Sequence, residues 1–206
     1  MVRQQGDITK EHEPTEVRQD EIIQAARKII VTHGMGHLTI AAIAEEVGLT
    51  EGALYRHFES KQQILLRLIE EIEEKLFERL EGAQRGIASP LERLDRVLKS
   101  HLSLVEQRGG VSFIVIAEAL SFGDPSVRTA VHNMLRRYIS AVSGILEEGV
   151  AAGEVRDNVD LETAAQLFFG MVQGAVTFWS LQDRTTSLAR RHQGLWDIYR
   201  QGIGTR

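Results

Sequence analysis

The chain has 206 residues, 43% hydrophobic and 26% charged, enough for one large unit or a small one joined to a larger one, with a substantial core. It contains no cysteine, which excludes disulfides, thiolate metal sites and a cysteine nucleophile and fits a reducing cytosol, so a cytoplasmic location is expected. The formal net charge is -5, and residues 1–61 hold seven Lys and Arg against ten Asp and Glu, so affinity for nucleic acid cannot come from bulk charge.

Residues 1–14 mix Arg3, Asp7, Lys10, Glu11 and Glu13 with no apolar run. They do not read as a secretory signal, and a flexible arm is expected. From Thr15 to His33, the residues Ile22, Ile23, Ala26, Ile29 and Ile30 form one apolar stripe at helical spacing, and Gly34 ends it. Thr39 can cap a second helix striped by Ile40, Ile43, Ala44 and Val47, which Gly48 breaks. Thr50 can cap a third, to His57, with Leu54 and Phe58 inward. Ser60 with Gln63 makes a capping box that starts a long helix, and residues 82–90 are the first break after it. Five further helices are predicted: Pro90–Gln107, Val111–Phe122, Pro125–Ala152, Leu161–Asp183 and Leu188–Gln201. No alternating strand with a hairpin turn is present, so the fold class is all-α with about nine helices. Thr163–Gln182 lacks charge and has the length of a membrane span, but its polar residues and helical apolar period point to a helix buried in protein, with no membrane partner.

Thr39 to Lys61 carries the functional signal. Two short helices joined by a glycine turn form a helix-turn-helix, whose second helix enters the major groove of DNA. Arg56 can donate twice to a guanine edge, and Glu51 can accept from a cytosine amino group. Tyr55, His57 and Lys61 reach phosphate oxygens, while Gly52 and Ala53 are small enough for close approach. Thr39 and Thr50 sit at helix starts, where hydroxyl and backbone N–H groups favour an anion. Local donors of this kind would replace bulk positive charge.

At these residues the sequence resembles the tetracycline-repressor (TetR) family of bacterial regulators. The run Leu38-Thr39-Ile40, then Ile43-Ala44, Val47-Gly48-Leu49-Thr50, Gly52-Ala53-Leu54-Tyr55-Arg56-His57-Phe58 and Ser60-Lys61 matches that family's DNA-binding signature nearly position by position. The match is specific over about Asp20 to Ile69 and architectural beyond it. Glu51 departs from the basic or neutral residue common there. The resemblance implies a homodimer on palindromic, double-stranded operator DNA, with a sensor in the C-terminal half and repression relieved by a small molecule. The expected organisation is an arm at 1–14, a three-helix DNA-binding domain at 15–60 and a helical ligand-binding and dimerisation domain at 61–206.

Within that last domain, His101, Phe113, Phe122, Met134, Tyr138, Phe168, Met171 and Phe178 are candidate lining residues for a largely apolar effector, although packed core and apolar pocket share one composition. Gly170 and Gly174, four apart on one helical face, let another helix come close, inside one chain or between two. Because the family's last two long helices pair across a two-fold axis, the resemblance implies a subunit interface, with Phe178, Leu195, Trp196 and Tyr199 beside the glycines. Metalloprotease, di-iron, nucleophile-elbow and phosphate-loop motifs are all absent, so no catalysis, metal or cofactor is expected. His101, His132 and His192 lie on different helices.

Overall fold

The computed structural model describes residues 15–121 and 124–205. Phe122 and the 1–14 arm lie outside the described residues. Nine α-helices run in order among them: α1 Thr15–His33, α2 Ile40–Glu46, α3 Glu51–Leu54, α4 Lys61–Gln84, α5 Pro90–Gln107, α6 Val111–Leu120, α7 Pro125–Ala151, α8 Leu161–Leu181 and α9 His192–Ile203. Short 3-10 turns precede α2 and α9, and an isolated bridge, Val155 to Gly204, ties the segment after α9 to the α7–α8 turn. The fold is all-α, as the periodicity requires.

Side-chain caps set most of the helix starts. Thr39 Oγ1 accepts from Ala42 N (3.1 Å), Thr50 Oγ1 from Ala53 N (3.2 Å) and Ser60 Oγ from Gln63 N (3.2 Å). Gln63 Oε1 accepts in return from Glu59 N at 2.7 Å, one residue earlier than the capping box requires. Asp124 and Asp160 cap α7 and α8 through Ser126 N and Thr163 N, both at 2.8 Å. The Ser126 hydroxyl, which also donates to Asp124, and then the Ser126 N–H hold the Asp124 carboxyl below the usual range, and the Thr163 N–H does the same for Asp160.

Two apolar clusters fill the molecule. One joins the stripe of α1 to Ile43, Leu54, Phe58 and the first half of α4, and continues into Val111, Val115 and Ile116 of α6 and Val127, Val131 and Met134 of α7. The other is built from the second half of α4, α5, the rest of α7, α8 and α9. The expected boundary at residue 60 therefore falls at a helix cap, where the packing does not divide. The reason is that α4 is one continuous helix whose stripe, Ile64, Leu65, Leu68, Ile69, Ile72, Leu76 and Leu80, is buried from end to end. One helix thus contributes side chains to both clusters.

Candidate nucleic-acid interface and effector cavity

Gly48 (φ 67°) closes α2 with a left-handed residue, with Leu49 N donating to Ala44 O (2.8 Å) and Gly48 N to Glu45 O (3.2 Å). Regular helix in α3 covers only Glu51–Leu54, shorter than the expected run to His57. The chain still winds onward: Arg56 N donates to Ala53 O (3.2 Å) and His57 N to Leu54 O (2.9 Å), tightened bonds at a helix end. Leu54 and Phe58 seat this segment in the core, and Gln19 Nε2 of α1 donates to His57 O at 3.2 Å. With those anchors inward, Thr39, Thr50, Glu51, Gly52, Tyr55 and Arg56 are exposed, Tyr55 at 49%. Ala53, His57 and Lys61 are half-buried beside them.

Charge on this face is selective. On α1, Lys28 pairs with Glu46 (2.5 Å) and Arg18 with Glu21 (2.6 Å). Arg56 and Lys61 are engaged in no ion pair among the described residues; Arg56 is exposed and Lys61 is half-buried at the start of α4. A few directed donors, rather than a basic field, are what this surface presents.

The C-terminal half encloses a nearly closed cavity of about 30 Å³, roughly the space of one water. His101 and Leu104 of α5, Phe113 and Ile116 of α6, Met134 of α7, Phe169 of α8 and Arg108 at the α5–α6 turn are among its walls. His101 is 7% exposed, and its Nδ1 is 2.9 Å from Tyr138 Oη. Burial pushes the imidazole down to about 4, so the ring is neutral, and raises the Tyr138 phenol. Of the residues singled out from sequence, His101, Phe113 and Met134 meet here, with Tyr138 directly behind His101.

Three others do not. Phe168 is buried on the other side of α8, its ring 5.4 Å from that of Tyr199, because consecutive helical residues point about 100° apart. Phe169, not singled out, takes the cavity position. Met171 and Phe178 line an outer groove between α8 and α9 with Gly170, Gly174 and Leu195. A side-chain carbon placed on either glycine would meet nothing within 4 Å, so the face they form is open. Leu181 at 76% exposure, Ile198 at 75% and Phe178 at 66% extend it. Trp196 and Tyr199 belong to the chain's own core: both are buried, and Tyr199 Oη donates to Ala164 O (2.9 Å). The family resemblance implies an interface role for both, but α9 turns its Trp196–Tyr199–Ile203 side inward.

Sequence reasoning missed Arg108 and Glu71, whose side-chain nitrogen and oxygen lie 3.0 Å apart between the cavity and α1. Nothing in the local pattern separates these two from the charges that form solvated ion pairs elsewhere in the chain. Among the described residues no group of three His, Asp or Glu side chains is placed to hold a metal, and no helix is long and apolar enough to cross a membrane. His132 is exposed, whereas His192 Nε2 is 2.6 Å from Asp95 Oδ1.

A short exposed helical segment held by a helical core, a long continuous α4, and a helical domain with an internal cavity define a protein of the helix-turn-helix class. Residues 22–68 match the model for bacterial regulatory proteins of the tetR family, and residues 62–201 match that for the YsiA-like protein C-terminal region. The chain is 32% identical over 182 residues to the nucleoid occlusion factor SlmA of Vibrio vulnificus, covering 88% of this chain and 93% of that protein. It is 28% identical to the fatty acid metabolism regulator protein of Bacillus subtilis, over 89% of this chain and 94% of the relative. A crystal structure of the transcriptional regulator FadR from Bacillus subtilis in complex with stearoyl-CoA superposes with a TM-score of 0.80 at 27% identity, covering 89% of this chain and 98% of that one. The chain belongs to the TetR family of transcriptional regulators. The family model describes bacterial regulatory proteins, and the Bacillus subtilis relatives are a metabolism regulator and a transcriptional regulator, none of them an enzyme.

Proposed function

We propose that this protein is a dimeric repressor that grips palindromic operator DNA through Thr39, Thr50–His57 and Lys61, and that a long-chain acyl effector in the C-terminal cavity releases it. The observation that carries the reading is the exposure of Tyr55 and Arg56 on a segment whose other face is fixed by Leu54 and Phe58. The acyl class is taken from the likeness to FadR, whose crystal holds stearoyl-CoA, and from the apolar walls of the cavity.

The closed cavity supplies a physical route to release. With room for one water it cannot hold an acyl chain, so a chain binds only a form in which α4, α5, α6, α7 and α8 have moved apart. A ligand that binds the opened form alone shifts the population toward it. Because α4 lines the cavity with Ile72 and Leu76 and begins next to the recognition segment, opening would re-aim that segment. Dimeric helix-turn-helix proteins need their recognition helices about 34 to 36 Å apart, so a small swing breaks the fit to both half-sites.

Arg56→Ala is expected to lose about 1 to 3 kcal/mol on the cognate operator and to relax its base preference, while Lys61→Ala weakens all duplexes alike. Fluorescence anisotropy with the DNA upstream of the protein's own gene measures both. Parental affinity in both variants would remove this segment from the DNA interface.

A further inference from the structure

The Arg108–Glu71 pair is poorly made for one so enclosed. Their side chains are 14% and 13% exposed, and Arg108 Nη2 lies 3.0 Å from Glu71 Oε2. Yet Arg108 Nε, Arg108 Nη2 and Glu71 Oε2 are all buried without an aligned hydrogen-bond partner. Leaving such groups unsatisfied is costly, and a site that tolerates it has donors in reserve.

Their location gives those donors a use. Arg108 belongs to the wall of the closed cavity and also to an open groove of about 1020 Å³ between α1 and the end of α5. It is the only described residue common to both. Arg27 of α1 lines the same groove, and its guanidinium is held below its ordinary value, first by desolvation and then by Arg108. The other charges in the groove are Arg18 paired with Glu21, Lys28 paired with Glu46, Asp20, which is 3.9 Å from Arg67 of α4, and Glu106, which accepts from Ser187 Oγ and Ala189 N. At the threshold itself Arg108 and Arg27 lie beside one carboxylate, Glu71, so guanidinium donors stand at the edge of an apolar chamber.

We infer that Arg108, supported by Arg27, binds the anionic end of an amphipathic effector whose apolar chain enters the cavity, and that Glu71 occupies this place until the effector displaces it. Guanidinium forks suit carboxylate and phosphate oxygens alike. Glu71 is not stranded by the exchange, because Gln24 Nε2 donates to its other oxygen at 3.2 Å. The anion would then lie against α1 of the DNA-binding half, so the head group as well as the chain acts on that half. This inference rests on the acyl-effector reading and adds the residues that recognise the polar end.

The test uses the full chain and a neutral fluorescent reporter of apolar cavities, N-phenyl-1-naphthylamine, displaced by palmitate, palmitoyl-CoA or hexadecanol. Arg108→Gln should weaken the anionic ligand about tenfold or more and leave the uncharged alcohol within about twofold, since a charge-assisted bond is lost from one and not the other. Arg108→Lys should recover part of the loss. Glu71→Gln, which removes the internal competitor, should tighten the anion several-fold. Selective loss for palmitate identifies a carboxylate at Arg108; selective loss for palmitoyl-CoA identifies a phosphate. If Arg108→Gln weakened hexadecanol equally, or if Glu71→Gln failed to tighten the anion, the threshold role would be wrong while the acyl cavity stood. A wild-type protein that took up neither reporter nor acyl ligand would overturn the acyl reading and this inference together. Should the Gln variant not fold, Arg27→Gln and Glu71→Gln report on the same threshold, and opposite shifts in anion affinity are required of them.

Discussion

Tyr138 is the hydrogen-bond partner that His101 needs in order to sit in an apolar wall, and the pair makes stability depend on pH. The folded-state value of about 4 lies below the ordinary histidine value near 6.5, because burial opposes the charged ring. The contribution is therefore fully present above pH 6.5. As pH falls, the unfolded chain takes up the proton first, and stability is lost down to about pH 4. Over that window His101 accounts for about 3 kcal/mol. Urea unfolding of the wild type and His101→Gln should differ by a slope confined to pH 6.5–4, the variant being the flatter. Parallel curves would show that the ring gains solvent or a counter-charge in solution.

Among the elements, the α5–α6 turn couples the two halves. Gly109 (φ 64°) and Gly110 (φ 73°) end α5, with Gly110 N donating to Val105 O (2.9 Å) and Gly109 N to Glu106 O (3.1 Å). The turn presses on α1 so closely that a side-chain carbon on Gly109 would fall 2.5 Å from Val31 Cγ1. Two penalties meet there, a left-handed backbone and a steric overlap, so Gly109→Ala should cost about 1 to 3 kcal/mol. Adding Val31→Ala should recover the steric part and leave the backbone part. A double-mutant cycle by denaturant unfolding separates them, and strict additivity of the two changes would mean that the α1 contact is not made in solution.

For the molecule as a whole, the open face of α8 and α9 is the feature that a single chain leaves unexplained. Leu167, Phe178, Leu181 and Ile198 are exposed on two neighbouring helices, and an apolar surface of this kind on a regulator fits a second copy of the chain. Because a side-chain carbon on Gly170 or Gly174 meets nothing within 4 Å, the double change Gly170→Leu with Gly174→Leu starts both new side chains in open space. Bulk at that crossing should yield a helical monomer, and operator affinity should fall by orders of magnitude through loss of the linked second half-site. Sedimentation and anisotropy on one sample decide the matter. A variant that remains dimeric moves the interface elsewhere, and a monomer with full affinity removes the two-fold mechanism.

The helices, their caps and the helix-turn-helix were legible in the sequence because each depends on residues close along the chain. Ile22 to Ile30 repeat at 3.6, Thr39, Thr50 and Ser60 accept from N–H groups three residues on, and Gly48 alone permits the left-handed stop. Which side of α8 meets which neighbour was not local information. Phe168 and Phe169 are adjacent and alike, yet one fills the core against Tyr199 and the other lines the cavity. Trp196 and Tyr199, expected at the interface, are buried in the chain's own core because that is the side α9 packs inward. Arg108 and Glu71 are separated by 37 positions, and only the folding of α5 back along α4 brings their charges to one threshold. Periodicity and capping are properties of a few neighbouring residues, whereas a cavity and its polar edge exist only where several helices converge.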